Sequence, residues 1–167
     1  GLEDSRPVAT PSVKRTPTTE SLVELENEKR AVYKTAVGKL LYMCQERADI
    51  MYSVKETARK ITCPTESDEM NVKRIARYLK GVPNAKCLIE INTFPPVVNV
   101  YTDSDWAGQH QTCKSTSGGV TQWGNATLSA WSRTQQSVSL SSAEAELYAL
   151  TTGMSEGMAT KNLLNEL

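Results

Sequence analysis

Histidine and phenylalanine each occur once in these 167 residues, aromatics make up 6%, and the four cysteines are scattered singly. With Cys44, Cys63, Cys87 and Cys113 forming no CxxC pair and His110 the only further soft ligand, a zinc site is not expected and reduced thiols are the default. Nor does any apolar run approach the ~20 residues that span a bilayer. The opening GLEDSRPVATPS has neither the basic nor the apolar region of a secretory signal. An intracellular setting without a membrane partner is the expectation. An excess of one charge is missing as well: 19 basic residues balance 19 acidic ones. Residues 1–100 hold 16 basic and 13 acidic side chains and residues 101–167 hold 3 and 6, so only a local cluster could argue for nucleic acid.

The length suffices for one domain with a real core, or for two small pieces. Pro7, Pro11 and Pro17 punctuate a Ser/Thr/Val-rich start, and proline both lacks an amide donor and disfavours helix in the residue before it. Residues 1–30 therefore read as an extended connector, a tail leaving something upstream. Helical periodicity follows from Glu20, clearest where Tyr33, Val37, Leu40, Leu41 and Cys44 make one apolar stripe. A second run, Ile50, Val54, Ala58 and Ile61, stops at Pro64, and TESDE offers an N-cap with acidic first-turn residues for a third helix running to about Lys80. That helix sets Val72, Ile75, Ala76 and Leu79 against Lys73, Arg74, Arg77 and Lys80, before GVPN ends it. Residues 31–84 are thus expected to form a three-helix unit.

The period then changes to two. CLIEI (87–91) and VVNVYT (97–102) read as strands, and GGVTQWG with ATLSAWS reads as a hairpin turning at Gly124 and Asn125. Residues 141–167 run helical after a serine cap, although Gly153 and Gly157 each weaken a helix by about 1 kcal/mol relative to alanine. The fold class expected is α+β: a three-helix unit, then over residues 85–167 a mixed α/β domain of antiparallel strands and one helix, which the family resemblance given below implies is truncated.

Two aspartates, Asp103 and Asp105, stand where the first strand of that domain is expected to end. Carboxylates there are hard oxygen ligands suited to Mg²⁺, and aspartate is equally common as a turn residue; spacing alone leaves both readings open. Glu144 and Glu146 similarly suit the first turn of a helix through the helix dipole. If that first turn lies over the end of the strand, a glutamate can meet Asp103 at one metal. His110 reads as a surface-loop residue. Trp123 and Trp131 lie in strands and, with Trp106, are expected in the core; Tyr33, Tyr42, Tyr52 and Tyr78 are expected to pack on helices with wet hydroxyls.

The ordered segments YKTAVGKLLYMCQERADIMYSVKETARKI, RIARYLKGV, YTDSDWAG, KSTSGGV and AWSRTQQSVSLSSAEAELYAL carry a resemblance. Together they resemble the C-terminal part of copia-type retrotransposon Pol polyproteins, from the thumb and connection end of the reverse transcriptase into its ribonuclease H domain. The resemblance implies a ribonuclease H fold that cuts the RNA strand of an RNA/DNA hybrid with two Mg²⁺ ions held by four carboxylates. Asp103 matches the first-strand aspartate and Glu146 the helix glutamate; Asp105 and Glu144 fall beside them as supporting or structural residues. Ser141 and Ser142 align with small polar residues near the hybrid backbone, and Lys73, Arg74, Arg77 and Lys80 could track phosphates of a primer-template duplex. In the family a later strand and segment bring the third and fourth carboxylates, and this sequence stops at NLLNEL before both, so it reads as a fragment or a decayed copy. The partners implied are the hybrid or duplex and the remainder of the polyprotein, in a cytoplasmic virus-like particle. Three functions remain in view: a part of a hybrid-specific endonuclease, a non-catalytic nucleic-acid-binding module, and an inert transposon remnant.

Overall fold

A computed structural model describes residues 4–13, 23–86, 97–109 and 111–166. The strand expected at 87–91 and His110 lie outside the described residues. The chain divides into two compact units, Gly1–Ala85 and Lys86–Leu167. Among the described residues, four α-helices and one three-stranded antiparallel sheet make an α+β fold. No helix among them is long and apolar enough to cross a membrane.

The first unit contains helices α1 (Asn27–Met43), α2 (Met51–Ala58) and α3 (Glu66–Gly81), with a 3-10 turn at Ala48–Ile50. Tyr33, Val37 and Leu40 are buried along α1, and Cys44 follows on the same side. Leu41 does not share their face: it is 46% exposed, because one step beyond Leu40 rotates a side chain by about 100°. Leu40, Cys44, Ile50, Val54 and Ile75 form one core cluster and Leu25, Tyr33 and Val37 another, with Val72 of α3 packed against both. The second apolar run is helical for less of its length than expected. After Ala58 the chain tightens into i→i+3 bonds, Lys60 N to Thr57 O (3.1 Å) and Ile61 N to Ala58 O (3.2 Å), and Ile61 packs on the core from that turn. The expected start of α3 is present in full. The Thr65 hydroxyl accepts from the Asp68 amide (3.4 Å) while the Asp68 carboxylate accepts from the Thr65 amide (2.8 Å), a reciprocal capping box.

Two polar contacts fix the corners of this unit. The Tyr33 hydroxyl is not wet as expected: buried, it donates to the Thr57 carbonyl at 2.7 Å, and burial pushes its pKa well above the usual phenol value. Tyr42 also departs from its expected packing role and is 78% exposed. Arg47, only 7% exposed, grips both oxygens of Asp49 (2.9 and 2.8 Å) and donates from Nη1 to the Val82 carbonyl (2.9 Å). Tyr78 donates to the same Asp49 carboxylate (2.8 Å), so the α1–α2 corner is tied to the end of α3.

In the second unit, β1 (Val98–Gln109), β2 (Lys114–Trp123) and β3 (Ala126–Thr134) form an antiparallel sheet in the order β1-β2-β3, followed by α4 (Ser142–Glu166). The hairpin turns at Gly124, whose φ of 58° is the left-handed conformation glycine takes without strain. Val120 of β2 faces Tyr101 of β1 and Ala130 of β3, so β2 is central. Ala145, Ala149 and Gly153 are the buried residues of α4, which lies on β1 and β2. The two glycines that weaken this helix have a packing reason. A methyl at Gly153 would strike the Thr102 side chain and stand 3.2 Å from Val100 Cγ1, and one at Gly157 would stand 2.7 Å from Val100 Cγ2. Trp131 is buried as expected, whereas Trp106, also expected in the core, lies within β1 and is 49% exposed.

Three substitutions test these contacts. Tyr33→Phe removes one of the two hydrogen bonds to the Thr57 carbonyl, which keeps the Lys60 amide, and a loss of about 0.5–1.5 kcal/mol is expected as a lower urea midpoint at unchanged slope. The Arg47 hydrogen bonds hold the Asp49 carboxyl below the usual carboxylate range. A folded-state pKa below the unfolded one contributes stability above the unfolded value, and that stability is lost as the pH falls through the folded one. Asp49→Asn should therefore flatten the fall in stability of the helical unit below about pH 4, measured by amide exchange in the whole chain. Gly153→Ala gains helix propensity yet pushes α4 off β1, for a net destabilisation of about 1–2 kcal/mol in the same urea titration.

Candidate functional site

β1 does not finish at the aspartates. Asp103 pairs with Gly118 and Asp105 with Thr116, and after a bulge the ladder resumes at Gln109 and Lys114. Ala107 takes a φ of 50° within that bulge, and its amide donates to the Ser115 hydroxyl (3.1 Å). The Asp105 carboxyl fills the space where a side chain at Gly108 would stand, so Asp105 packs on its own strand's bulge. Asp103 is exposed. Strand alternation puts it with Asn99 and Tyr101, on the face away from Val100 and Thr102, which meet α4.

Glu146 reaches this strand from α4. Its Oε1 accepts from the backbone amide of Ser104 at 3.3 Å, the amide of the peptide bond that follows Asp103. The helix glutamate thus reaches the β1 backbone beside Asp103, whose side chain stands on the sheet face away from α4. Glu144 points elsewhere: its Oε2 accepts from the Leu140 amide (2.7 Å), while the Ser141 hydroxyl accepts from the Glu144 amide (3.2 Å). The Ser141 hydroxyl caps the helix N-terminus and Glu144 ties it back to Leu140, so Ser141 and Glu144 hold the start of α4. Ser142, the first residue of the helix, is exposed.

One residue that positions Glu146 had no signal in the sequence. Gln135, buried just after β3, donates from Nε2 to the Ser117 hydroxyl of β2 (2.9 Å) and to the Ala145 carbonyl of α4 (2.8 Å). Its Oε1 accepts from the Ser139 hydroxyl (2.9 Å), and the Ser139 carbonyl accepts from the Trp106 indole (3.0 Å). The amide side chain therefore ties the sheet, the connecting loop and the first turns of α4 together. A glutamine in SRTQQSVS resembles any other polar loop residue, and only the tertiary fold buries this one.

The basic side chains of α3 have partners. Lys73 pairs with Glu69 (2.7 Å). The other three engage the chain's own extended start: Arg74 Nη2 donates to the Thr10 hydroxyl (2.9 Å), Arg77 Nε to the Arg6 carbonyl (2.7 Å) and Lys80 Nζ to the Ser5 carbonyl (3.0 Å). Residues 4–13, expected to be a connecting tail, lie along the helix that was expected to meet phosphates.

Asp103 and Glu146 fit a hard divalent cation in kind, since both offer carboxylate oxygens. They do not complete a site by themselves: among the described residues, no three acidic, histidine or cysteine side chains are grouped to hold an ion.

No family model matches the chain, and no solved structure matches it significantly. Curated relatives do match. The retrovirus-related Pol polyprotein from transposon RE1 of Arabidopsis thaliana is 36% identical over 136 residues, 81% of this chain and 9% of the relative. That from transposon TNT 1-94 of Nicotiana tabacum is 34% identical over 174 aligned positions, 99% of the chain and 13% of the relative. That from transposon RE2 of Arabidopsis thaliana is 33% identical over 136 residues, 81% of the chain and 9% of the relative. The chain spans about a tenth of the length of these relatives. With matches of this identity running across most of its residues, the chain belongs to the copia-type, retrovirus-related Pol polyproteins of transposons.

Proposed function

We propose that the second unit is the opening part of a ribonuclease H-type nuclease, and that the polyprotein containing it hydrolyses the RNA strand of an RNA/DNA hybrid. The observation that carries this reading is the Glu146 carboxylate at the amide following Asp103. Asp103 and Glu146 would hold Mg²⁺, and a pair of such ions activates the attacking water and stabilises the leaving oxygen of an in-line displacement. This chain's residues provide the frame. Gly153 and Gly157 let α4 approach β1, the Ser141–Glu144 cap starts the helix, and Gln135 sets its first turns against the sheet.

A site with two carboxylates needs further ligands, and β1 lies at an end of the sheet among the described residues. Beside it a groove of about 380 Å³ runs between Val98 and Val100 of β1 and Leu150, Met154 and Met158 of α4. The rest of a nuclease domain would pair with that edge, fill that groove and bring the remaining acidic groups. The first unit would be the thumb or connection end of the reverse transcriptase, with Arg74, Arg77 and Lys80 directed to duplex phosphates, and in the second unit Ser142 would lie near the hybrid backbone.

A non-catalytic nucleic-acid-binding module is the second reading, supported by Arg74, Arg77 and Lys80 standing in a row along α3. The two readings separate in the polyprotein. Asp103→Asn or Glu146→Gln is expected to abolish Mg²⁺-dependent cleavage of the hybrid while duplex binding persists; undiminished cleavage by both variants contradicts the nuclease assignment. Gln135→Ala is expected to lower cleavage and to raise the Mg²⁺ concentration required for half-maximal rate. A loss of rate with no change in that requirement would make Gln135 a stability residue only.

A further inference from the structure

Residues 4–13 meet α3 in a regular way. Going along the segment from Ser5 through Arg6 to Thr10, the partners run backwards along the helix from Lys80 through Arg77 to Arg74, so segment and helix are antiparallel. The acceptors in these three hydrogen bonds are two backbone carbonyls and one hydroxyl, all neutral. The segment also lies close to the end of α3, for a Cβ added at Gly81 would stand 3.0 Å from Pro7 Cβ and 3.8 Å from the Val8 carbonyl oxygen. Asp4 and Arg6 are its only charged residues, and they cancel. An extended chain of neutral oxygens therefore occupies three cations in a row.

Arg74 is left incompletely satisfied by its acceptor. Arg74 donates from Nη2 to Thr10, yet its Nε is buried without a hydrogen-bond partner. A phosphate could take Nε and Nη2 of such a fork together, and hydrogen bonds between charged partners are about twice as strong as neutral ones. The segment has a different advantage, because it is tethered and competes at an effective concentration that an isolated anion does not reach. Polyvalent phosphate backbones would displace it, and single phosphates would not.

We propose that residues 4–13 are a displaceable strap, a built-in competitor that occupies Arg74, Arg77 and Lys80 until a nucleic-acid duplex takes its place. This rests on the reading of α3 as a duplex-facing helix and adds a regulation of that surface. The strap sets a threshold that weak, low-valence anions fail to cross. Because it carries no net charge, removing it should raise duplex affinity without altering the number of counterions released, so the salt dependence keeps its slope and shifts only in level.

The test is anisotropy binding of an RNA/DNA duplex to the full chain across a salt series, with three variants. Gly81→Leu crowds Pro7 and Thr10→Val removes the acceptor of Arg74; each keeps every cation. Both are expected to bind about two- to tenfold more tightly, the range equivalent to losing one or two hydrogen bonds of the strap, with the wild-type salt slope. The double variant Arg74→Ala/Arg77→Ala is expected to bind more weakly and to lose about two units of slope. Thr10→Val alters one exposed side chain and serves if Gly81→Leu fails to fold. Amide exchange within residues 4–13 should rise when duplex is added. Unchanged affinity in Gly81→Leu and Thr10→Val, with weakened binding in the arginine double variant, overturns the strap while leaving the duplex-facing helix intact. No duplex binding by any form overturns both.

Discussion

The close approach of α4 to β1 is the constraint on which the second unit depends. Gly153 and Gly157 occupy successive turns on one side of the helix, and at both positions the space of a methyl is already taken by Thr102 or Val100. Each glycine costs the helix about 1 kcal/mol relative to alanine. That local cost persists because it brings α4 down onto the strand, where Ala145 and Ala149 bury completely. The same approach carries Glu146, one residue beyond Ala145, to the backbone beside Asp103. A bulkier seam would hold the glutamate away from that amide, whatever its own chemistry.

Polar contacts then fix the helix in place. Capping by Ser141 and Glu144 determines where α4 starts, and Gln135 determines what it starts against. Gln135 is buried with both amide hydrogens donated and its oxygen accepting, which is the condition under which a buried amide rigidifies a fold rather than weakening it. The helical unit uses the same device in ionic form, with Arg47, Asp49, Tyr78 and the Val82 carbonyl closing one corner. In both units an apolar seam supplies the contact area and a small satisfied polar network supplies the geometry.

Charges on helix surfaces proved to be engaged differently from what their pattern suggests. Lys73, Arg74, Arg77 and Lys80 read as one basic face, but Lys73 pairs along its own helix with Glu69 and the other three hold residues 5–10. Cations spaced along a helix suit any extended chain of oxygens, a peptide backbone as well as a phosphodiester one. A proline-punctuated segment, poor in secondary structure of its own, is well suited to be such a chain.

The sequence by itself determined the local elements, because these rest on short-range chemistry. The 3.6-residue rhythm of Tyr33, Val37 and Leu40, the Thr65–Asp68 cap, the Gly124–Asn125 turn and the alternation through Val98, Val100 and Thr102 are each set by neighbours within a few positions. The motifs around Asp103 and Glu146 pointed to the family. Tertiary structure alone decided that Leu41 faces solvent, that β1 continues through both aspartates, that Asp105 folds over Gly108 while Glu146 reaches Ser104, and that Gln135 is buried. Each of these depends on what a distant segment places opposite the residue: β2 prolongs β1 by pairing with it, and α4 gives the buried glutamine its carbonyl. No count of neighbours along the chain contains that information, since the partner's position is fixed only when the layers pack.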